Sequence, residues 1–344
     1  MAGPQELVAT PAAAPDYVAV RCPRCGADAV SVRYKLVVSS IVTCRACSMS
    51  YVSPRVGSDL VERKLQAWAE QDVVDPERLR IAFDPASIAY YARFLGWLTK
   101  NLRLPGRRLL DVGCGTGGFL SVARAAGWDG RGIELGRASA HYAAATLGLA
   151  VTQGTLYRFD APAQSYDAIS MIEVIEHLER PVDALGIAHD LLKPGGALLI
   201  TTPNFDSLYR RLFGGRWWVI NCEDEHIVLF SRTTLVGMLE ENGFEVVLER
   251  VCGIDILGLL RESRRYLAGR QRALSDATAA ADGYYQARST KTLVKNLLGK
   301  LGVLRLVRWL LHAMDMTYSW RLSPTRNWGE QLVVVARRKA GRRP

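Results

Sequence analysis

Four cysteines near the N-terminus fall into two matched pairs, Cys22 and Cys25 in "CPRC" and Cys44 and Cys47 in "CRAC", with 18 residues between the pairs. Two facing Cys-x-x-Cys knuckles fit the pattern of a four-thiolate zinc site. A closed set of four ligands leaves no position for a substrate, so the metal expected here is structural. A second group lies in "LLDVGCGTGGFL", residues 109–120, where an apolar run meets Gly113, Gly115 and Gly117. Glycines in that place let the backbone turn sharply and let a ligand lie against bare main chain. Glu134 follows in "GIELG", about twenty residues on, where an acid can accept hydrogen bonds from ribose hydroxyls. A third group joins histidines to carboxylates: His177 after Glu173 and Glu176 in "EVIEHL", and His226 after Glu225 in "NCEDEHIVLF". Either imidazole can serve as a general base, with His226 the favoured one. Either can equally be a satisfied structural histidine.

The elements that must position these groups alternate. "RRLLDVG" reads as a buried strand and "GGFLSVARAAG" as a helix; "GRGIEL" and "RASAHYAAATLG" repeat the pair, and "LAVTQG" is a third strand. "YDAISMIEV", "GALLITTP" and "FEVVLERVCG" continue the series, with helices "RPVDALGIAHDLL" and "SRTTLVGMLEENG" between them. Strand–helix alternation with short connections predicts an α/β fold with a mostly parallel sheet covered on both faces. A last apolar run, "QLVVVARR", closes the sheet. Gly113, Gly115 and Gly118 also satisfy a dinucleotide fingerprint, so the glycines alone do not choose between a nicotinamide cofactor and S-adenosylmethionine.

The wider text narrows that choice. Asp111 two places before "GCGTG", then "SYDAISMIEVIEHLERPVDAL", "LLKPGGALLITTPN" and "EHIVLFSRTTLVGMLEENGFEV", resemble the class I S-adenosylmethionine-dependent methyltransferases. The likeness spans about residues 86–253 plus the last strand and is nearest the broad group acting on small molecules, sugars and quinone-like compounds. It implies a Rossmann-like, mainly parallel sheet of seven strands with the last one reversed. It implies that the methionine part of the cofactor lies near Asp111, Gly113, Gly115 and Gly117, in a loop that also holds Cys114 and Thr116. Ribose would sit on Glu134, beside Leu135, and adenine near Thr155 and Leu156. Many relatives carry an acid where this chain has Thr155. Glu173 would lie between the methionine moiety and the substrate. In sugar-modifying relatives the pair at the position of Glu225 and His226 faces the acceptor; the expected catalytic group is His226 and Glu225 with His177, which more often organises the loop through hydrogen bonds. Tyr209, Trp217 and Trp218 read equally as pocket walls or as core.

Size and charge bound the rest. The chain has 344 residues, 49% of them hydrophobic and 23% charged, enough for one large domain with appendages. Neither an export signal nor a transmembrane run is legible, so a cytoplasmic, reducing location is expected, where paired cysteines favour metal over disulfide. The expected division is a disordered tail at 1–19, a zinc-binding module at 20–56, a helical connector at 57–105, a methyltransferase core at 106–253, a basic helical insert at 254–329, and a last strand with basic tail at 330–344. The formal charge is +10, and from Glu245 onward 19 Lys and Arg stand against 8 Asp and Glu. Residues 290–314 read either as a lid or as a peripheral membrane contact. The cysteine module is basic, through Arg21, Arg24, Arg33, Lys35, Arg45 and Arg55, but has few stacking aromatics besides Tyr34 and Tyr51. RNA readers combine the two. A small-molecule or glycosyl acceptor is therefore favoured over the alternative, a zinc-containing RNA methyltransferase.

Overall fold

The computed structural model describes residues 17–100, 102–222, 225–253 and 327–340. The insert at 254–326, with the region 290–314, lies outside them, as do residues 1–16.

A short antiparallel sheet opens the chain: β2 (Val30–Lys35), β3 (Ser40–Cys44) and β4 (Ser50–Val52), with β1 (Tyr17–Val18) paired separately on β5 (Arg55–Val56). Tyr17 and Val18, read from sequence as part of a disordered tail, are thus held in a strand pair. Three helices follow, α1 (Ser58–Val74), α2 (Pro76–Ala82) and α3 (Pro85–Lys100).

The main sheet contains β6 (Arg108–Val112), β7 (Asp129–Glu134), β8 (Ala150–Gln153), β9 (Tyr166–Ile172), β10 (Leu192–Pro203), β12 (Phe244–Cys252) and β13 (Gln331–Arg338). Its spatial order is β12-β13-β10-β9-β6-β7-β8. All pairings from β8 to β10 are parallel, and β13 runs antiparallel to both of its neighbours. The seven-stranded, mainly parallel sheet with one reversed strand is therefore as the sequence led one to expect.

Alternation inside the strands explains why both faces are covered. Leu110, Ile169, Leu198 and Val334 point to one side, where α6 (Pro181–Leu191) supplies Ala184, Leu185 and Ala188. Leu109, Ala168, Leu199 and Val333 point to the other, against Phe94 and Leu98 of α3 and Phe119 and Leu120 of α4 (Gly118–Ala125). After β7 comes α5 (Arg137–His141), whose last turn widens into a π-turn over Tyr142–Thr146. Pro181 sits in the first turn of α6, where its missing N–H costs nothing. After β10 come α7 (Leu208–Phe213), β11 (Val228–Leu229) and α8 (Arg232–Glu241), the last started by a Ser231–Thr234 capping box.

The cysteine module is not a separate flap. β11 pairs with β4, which makes a four-stranded sheet of order β11-β4-β3-β2 from two distant parts of the chain. Cys22, Val42, Cys44, Met49 and Tyr51 share one buried cluster with Ile227, Val228 and Phe230. Arg24 grips Glu241 at the end of α8 through two hydrogen bonds, at 2.6 and 3.1 Å. Trp217 and Tyr209 are core: Trp217 is fully buried, with its indole N–H donating to Glu330 at 2.7 Å. No helix among the described residues is long and apolar enough to cross a membrane.

Candidate functional site

Strand order reverses direction between β6 and β9, and the crevice at their carboxyl ends is where open α/β sheets bind ligands. The loop after β6 is shaped by three left-handed glycines, Gly113 (φ 69°), Gly115 (φ 53°) and Gly117 (φ 88°). A side chain on Gly113 would put its Cβ 2.5 Å from Val174 Cγ2, so this glycine lets the loop lie directly against the end of β9. At Gly115 an added Cβ would meet nothing within 4 Å, so that part of the loop borders open space. Gly113→Ala combines a forbidden φ with that clash and is expected to cost about 1–3 kcal/mol of stability. Urea unfolding of the variant beside the parent measures it, and it should also push Val174 and the adjoining Glu173 out of place.

Glu134, at the end of β7, is 6% exposed and braces the same loop. Its two carboxylate oxygens accept from the Gly115 N–H at 2.8 Å and from the Gly136 N–H at 2.7 Å. Asp111 is buried at the end of β6 and accepts from the Ser170 hydroxyl at 2.6 Å. Burial raises its pKa to about 7; the Ser170 bond opposes that rise and the nearby Glu134 adds to it. Thr116 is buried, and Leu135 is half-buried beside Glu134. Cys114 is buried with its Sγ under Gly132, where an added Cβ would come within 2.5 Å, and burial holds its thiol protonated. That placement suits packing, not nucleophilic attack. Across β8, half-buried Thr155 precedes the 3-10 turn Leu156–Arg158, with Leu156 buried. The sequence-derived cofactor residues thus line one edge of the sheet.

At the end of β9, Glu173 takes a left-handed φ of 54°, unusual for a residue with a side chain. Its N–H donates to the Thr201 carbonyl at 3.1 Å, and its carboxylate accepts from the Thr201 hydroxyl at 2.7 Å and the Gln331 amide at 2.8 Å. The same amide nitrogen reaches the Tyr90 hydroxyl. Sequence reasoning missed Tyr90, Thr201 and Gln331; Gln331 is 158 positions from Glu173, and no local pattern connects them.

The histidines that sequence left as rivals stand side by side, ring centres 4.9 Å apart. His177 Nδ1–H donates to the Glu225 carbonyl at 2.7 Å, and His226 Nδ1 lies 3.3 Å from the Val219 carbonyl. Glu225 therefore holds His177 through its backbone. Burial lowers the pKa of His177 to about 4; burial, then His177, lowers that of His226 to about 3. Both rings are neutral at pH 7 and hold a proton poorly, which weakens the general-base role expected of His226. Trp218 packs edge-on to His226 at 5.9 Å and is 46% exposed, so of the aromatics considered only this one stands at the rim.

In the module, Cys22 Sγ lies 3.4 Å from Cys47 Sγ, and Cys25 Sγ lies 3.6 Å from Cys44 Sγ. All four sulfurs fall within 4.8 Å of one another. Zn–S bonds of about 2.3 Å in a tetrahedron put sulfurs about 3.8 Å apart, so the set fits zinc closely. The two knuckles also share one turn. Gly26 N–H donates to the Cys22 carbonyl at 2.9 Å and Ser48 N–H to the Cys44 carbonyl at 3.0 Å, and both Gly26 and Ser48 have positive φ.

Comparison with known proteins places the core. A family profile described as a methyltransferase domain matches residues 84–249. A ubiquinone biosynthesis O-methyltransferase of Azotobacter vinelandii is 32% identical over 117 residues, which are 32% of this chain and 50% of that protein. The enzyme of the same name from Pseudomonas aeruginosa is 31% identical over 118 residues, with the same coverage. The chain spans about half the length of these relatives. Among solved structures, a SAM-dependent methyltransferase from Archaeoglobus fulgidus aligns at TM-score 0.45 and 18% identity, covering 73% of this chain and 92% of that one. The N-methyltransferase NodS of Bradyrhizobium japonicum, in complex with S-adenosyl-L-homocysteine, aligns at 0.43 and 16%, covering 56% and 91%. Those overlaps are too loose to carry weight, and the fold rests on strand order and direction. The matched domain and that strand order agree: the core of this chain belongs to the class I S-adenosylmethionine-dependent methyltransferases.

Proposed function

We propose that the protein transfers the methyl group of S-adenosylmethionine to an oxygen of a small-molecule or glycosyl acceptor. One observation carries the reading: His177 and His226 stand side by side next to buried Glu176, at the carboxyl edge that also holds the glycine loop. The matched relatives named as O-methyltransferases support oxygen as the acceptor atom.

The cofactor supplies an electrophilic methyl on a sulfonium, poised for in-line displacement. In this reading Asp111 and the loop from Gly113 to Gly117 hold its methionine part. Glu134 and Leu135 hold the ribose, with Glu134 giving up a loop contact to do so, and Thr155 and Leu156 border the adenine. Glu173, fixed by Thr201 and Gln331, shapes the wall between methionine and acceptor. His226 and Trp218 face the acceptor, and His177 with Glu225 keeps His226 in place. The protein's task is alignment of oxygen, methyl carbon and sulfur. Zn2+ on Cys22, Cys25, Cys44 and Cys47 would be structural.

Incubating the purified protein with a cell extract and labelled methyl donor, followed by mass spectrometry, tests the reading. One labelled small product with an O-methyl group is expected. Label found only in RNA, or no S-adenosylmethionine binding by calorimetry, would overturn it.

A further inference from the structure

The turn that follows Glu134 is held from a distant part of the chain. Glu134 itself accepts from the Gly136 N–H, and the next two N–H groups, of Arg137 and Ala138, donate to the two carboxylate oxygens of Glu70 at 2.7 and 2.9 Å. Glu70 belongs to α1 and precedes Arg137 by 67 positions. Its neighbour Ala69 holds the residues on either side of that pair. The fully buried Ser139 donates its hydroxyl to the Ala69 carbonyl at 2.8 Å, and a Cβ on Gly136 would stand 2.6 Å from Ala69 Cβ. Successive residues 136–139 thus rest on two successive residues of one remote helix.

A need for stability alone does not explain this arrangement. The simplest start for a helix is a Ser, Thr, Asp or Asn side chain at the N-cap. α5 has Gly136 there, with no side-chain cap. Ala69 requires that glycine, because its methyl fills the place a side chain would take. A local cap is thus replaced by one that ties α1 to the turn beside Glu134. The tie matters because Glu134 has two tasks. Its oxygens brace the Gly115 and Gly136 N–H groups, and in the proposed reading it releases one of them to accept from ribose hydroxyls. A turn braced by Glu134 alone would loosen at that moment. With Arg137 and Ala138 still held by Glu70, the turn stays in place, and binding does not have to order it.

We propose that Glu70 is a positioning residue for the cofactor: by holding the Arg137 and Ala138 N–H groups it fixes the turn that aims Glu134 and Leu135 at the ribose. It acts through that turn rather than by touching the cofactor. The inference rests on the proposed placement of the ribose on Glu134. Its effect belongs to the ribose and adenine half of the ligand, because the methionine half is assigned to Asp111 and the glycine loop.

Calorimetry on the full-length protein, with S-adenosylhomocysteine and with adenosine, is the test. Adenosine carries the ribose and adenine but no methionine part. Glu70→Ala should weaken both ligands by the same factor, roughly tenfold, the worth of a good helix cap. Glu70→Gln keeps one carbonyl oxygen to accept one N–H and should weaken both about threefold. It carries the test if Glu70→Ala does not fold. In a Glu134→Ala background the turn no longer serves the ribose, so Glu70→Ala should add less than about twofold. A general loosening of the fold would instead weaken binding equally in both backgrounds. Parent-like affinity in the Glu70 variants, a loss for S-adenosylhomocysteine without one for adenosine, or full additivity with Glu134→Ala would overturn the role of Glu70. If Glu134→Ala by itself binds both ligands as the parent does, it is the ribose placement that fails.

Discussion

Cys44→Ser is expected to lower methyl transfer by on the order of 100-fold while leaving cofactor affinity close to that of the parent. Cys44 ends β3 and is buried with Val42, Met49 and Tyr51 in the cluster that continues into Ile227 and Phe230. A segment as small as β2–β4 has little core of its own, so a metal on its cysteines contributes much of its folding energy. Losing one ligand loosens β4. The Val52 N–H donates to the Ile227 carbonyl at 3.0 Å, and β11 begins at Val228. His226 adjoins that bond. When β4 loosens, the acceptor-side histidine loses its track, and a displacement of about 1 Å in a reacting group costs on the order of 100-fold. The glycine loop and Glu134 lie at the ends of β6 and β7, in the seven-stranded sheet to which β4 does not belong, and should keep binding cofactor. Zinc analysis, kcat and the Kd for S-adenosylhomocysteine on the same sample decide it. A variant that has lost its metal yet turns over normally would show that the module does not position the site.

How much of this was readable beforehand follows from where the signals lie. "LLDV", "DAISMI" and "ALLITT" are strands buried on both faces, and such strands write themselves as unbroken apolar runs. Glu134 was legible because its distance from the glycines is a property of one βαβ unit. What it grips, the N–H groups of Gly115 and Gly136, was not, because a side chain's backbone partners have no spacing rule. β11 is two residues long and has no period, so the fusion of the cysteine module with the core left no trace in the sequence. The same holds for the cluster of Glu176, His177 and His226. Sequence placed His177 and His226 in plausible text and treated them as competitors; only folding brings their rings to 4.9 Å. Trp217 shows the opposite error of balance. Its type allowed a pocket wall, but a buried indole needs an acceptor, and Glu330, far along the chain, provides one.

Asp111 should make cofactor binding steeply dependent on pH. Burial, the largest cause, lifts its folded pKa from 3.8 to about 7. An acid with a raised folded pKa stabilises the fold fully below its unfolded value, and that contribution is lost as pH rises through the folded value. The ligand-free protein should therefore lose stability from this group between about pH 4 and pH 7. Binding should run the other way. If the ammonium of the methionine part sits by Asp111, it pairs only with the ionised form, because a protonated carboxyl has no charge to offer. Affinity for S-adenosylhomocysteine, which keeps that ammonium, should rise about tenfold per pH unit from pH 5 to 7 and level off above. Asp111→Asn should flatten this profile and bind about as weakly as the parent does at low pH. Ser170→Ala supplies the sharper check. The Ser170 hydroxyl, 2.6 Å away, favours the ionised carboxylate, so its removal should move the rise to higher pH. Calorimetric titrations from pH 5.5 to 8.5 read both effects. A flat parent profile, or a Ser170→Ala profile moved to lower pH, would mean that the cofactor's charge is met elsewhere, and Glu134 would be the next carboxylate to test.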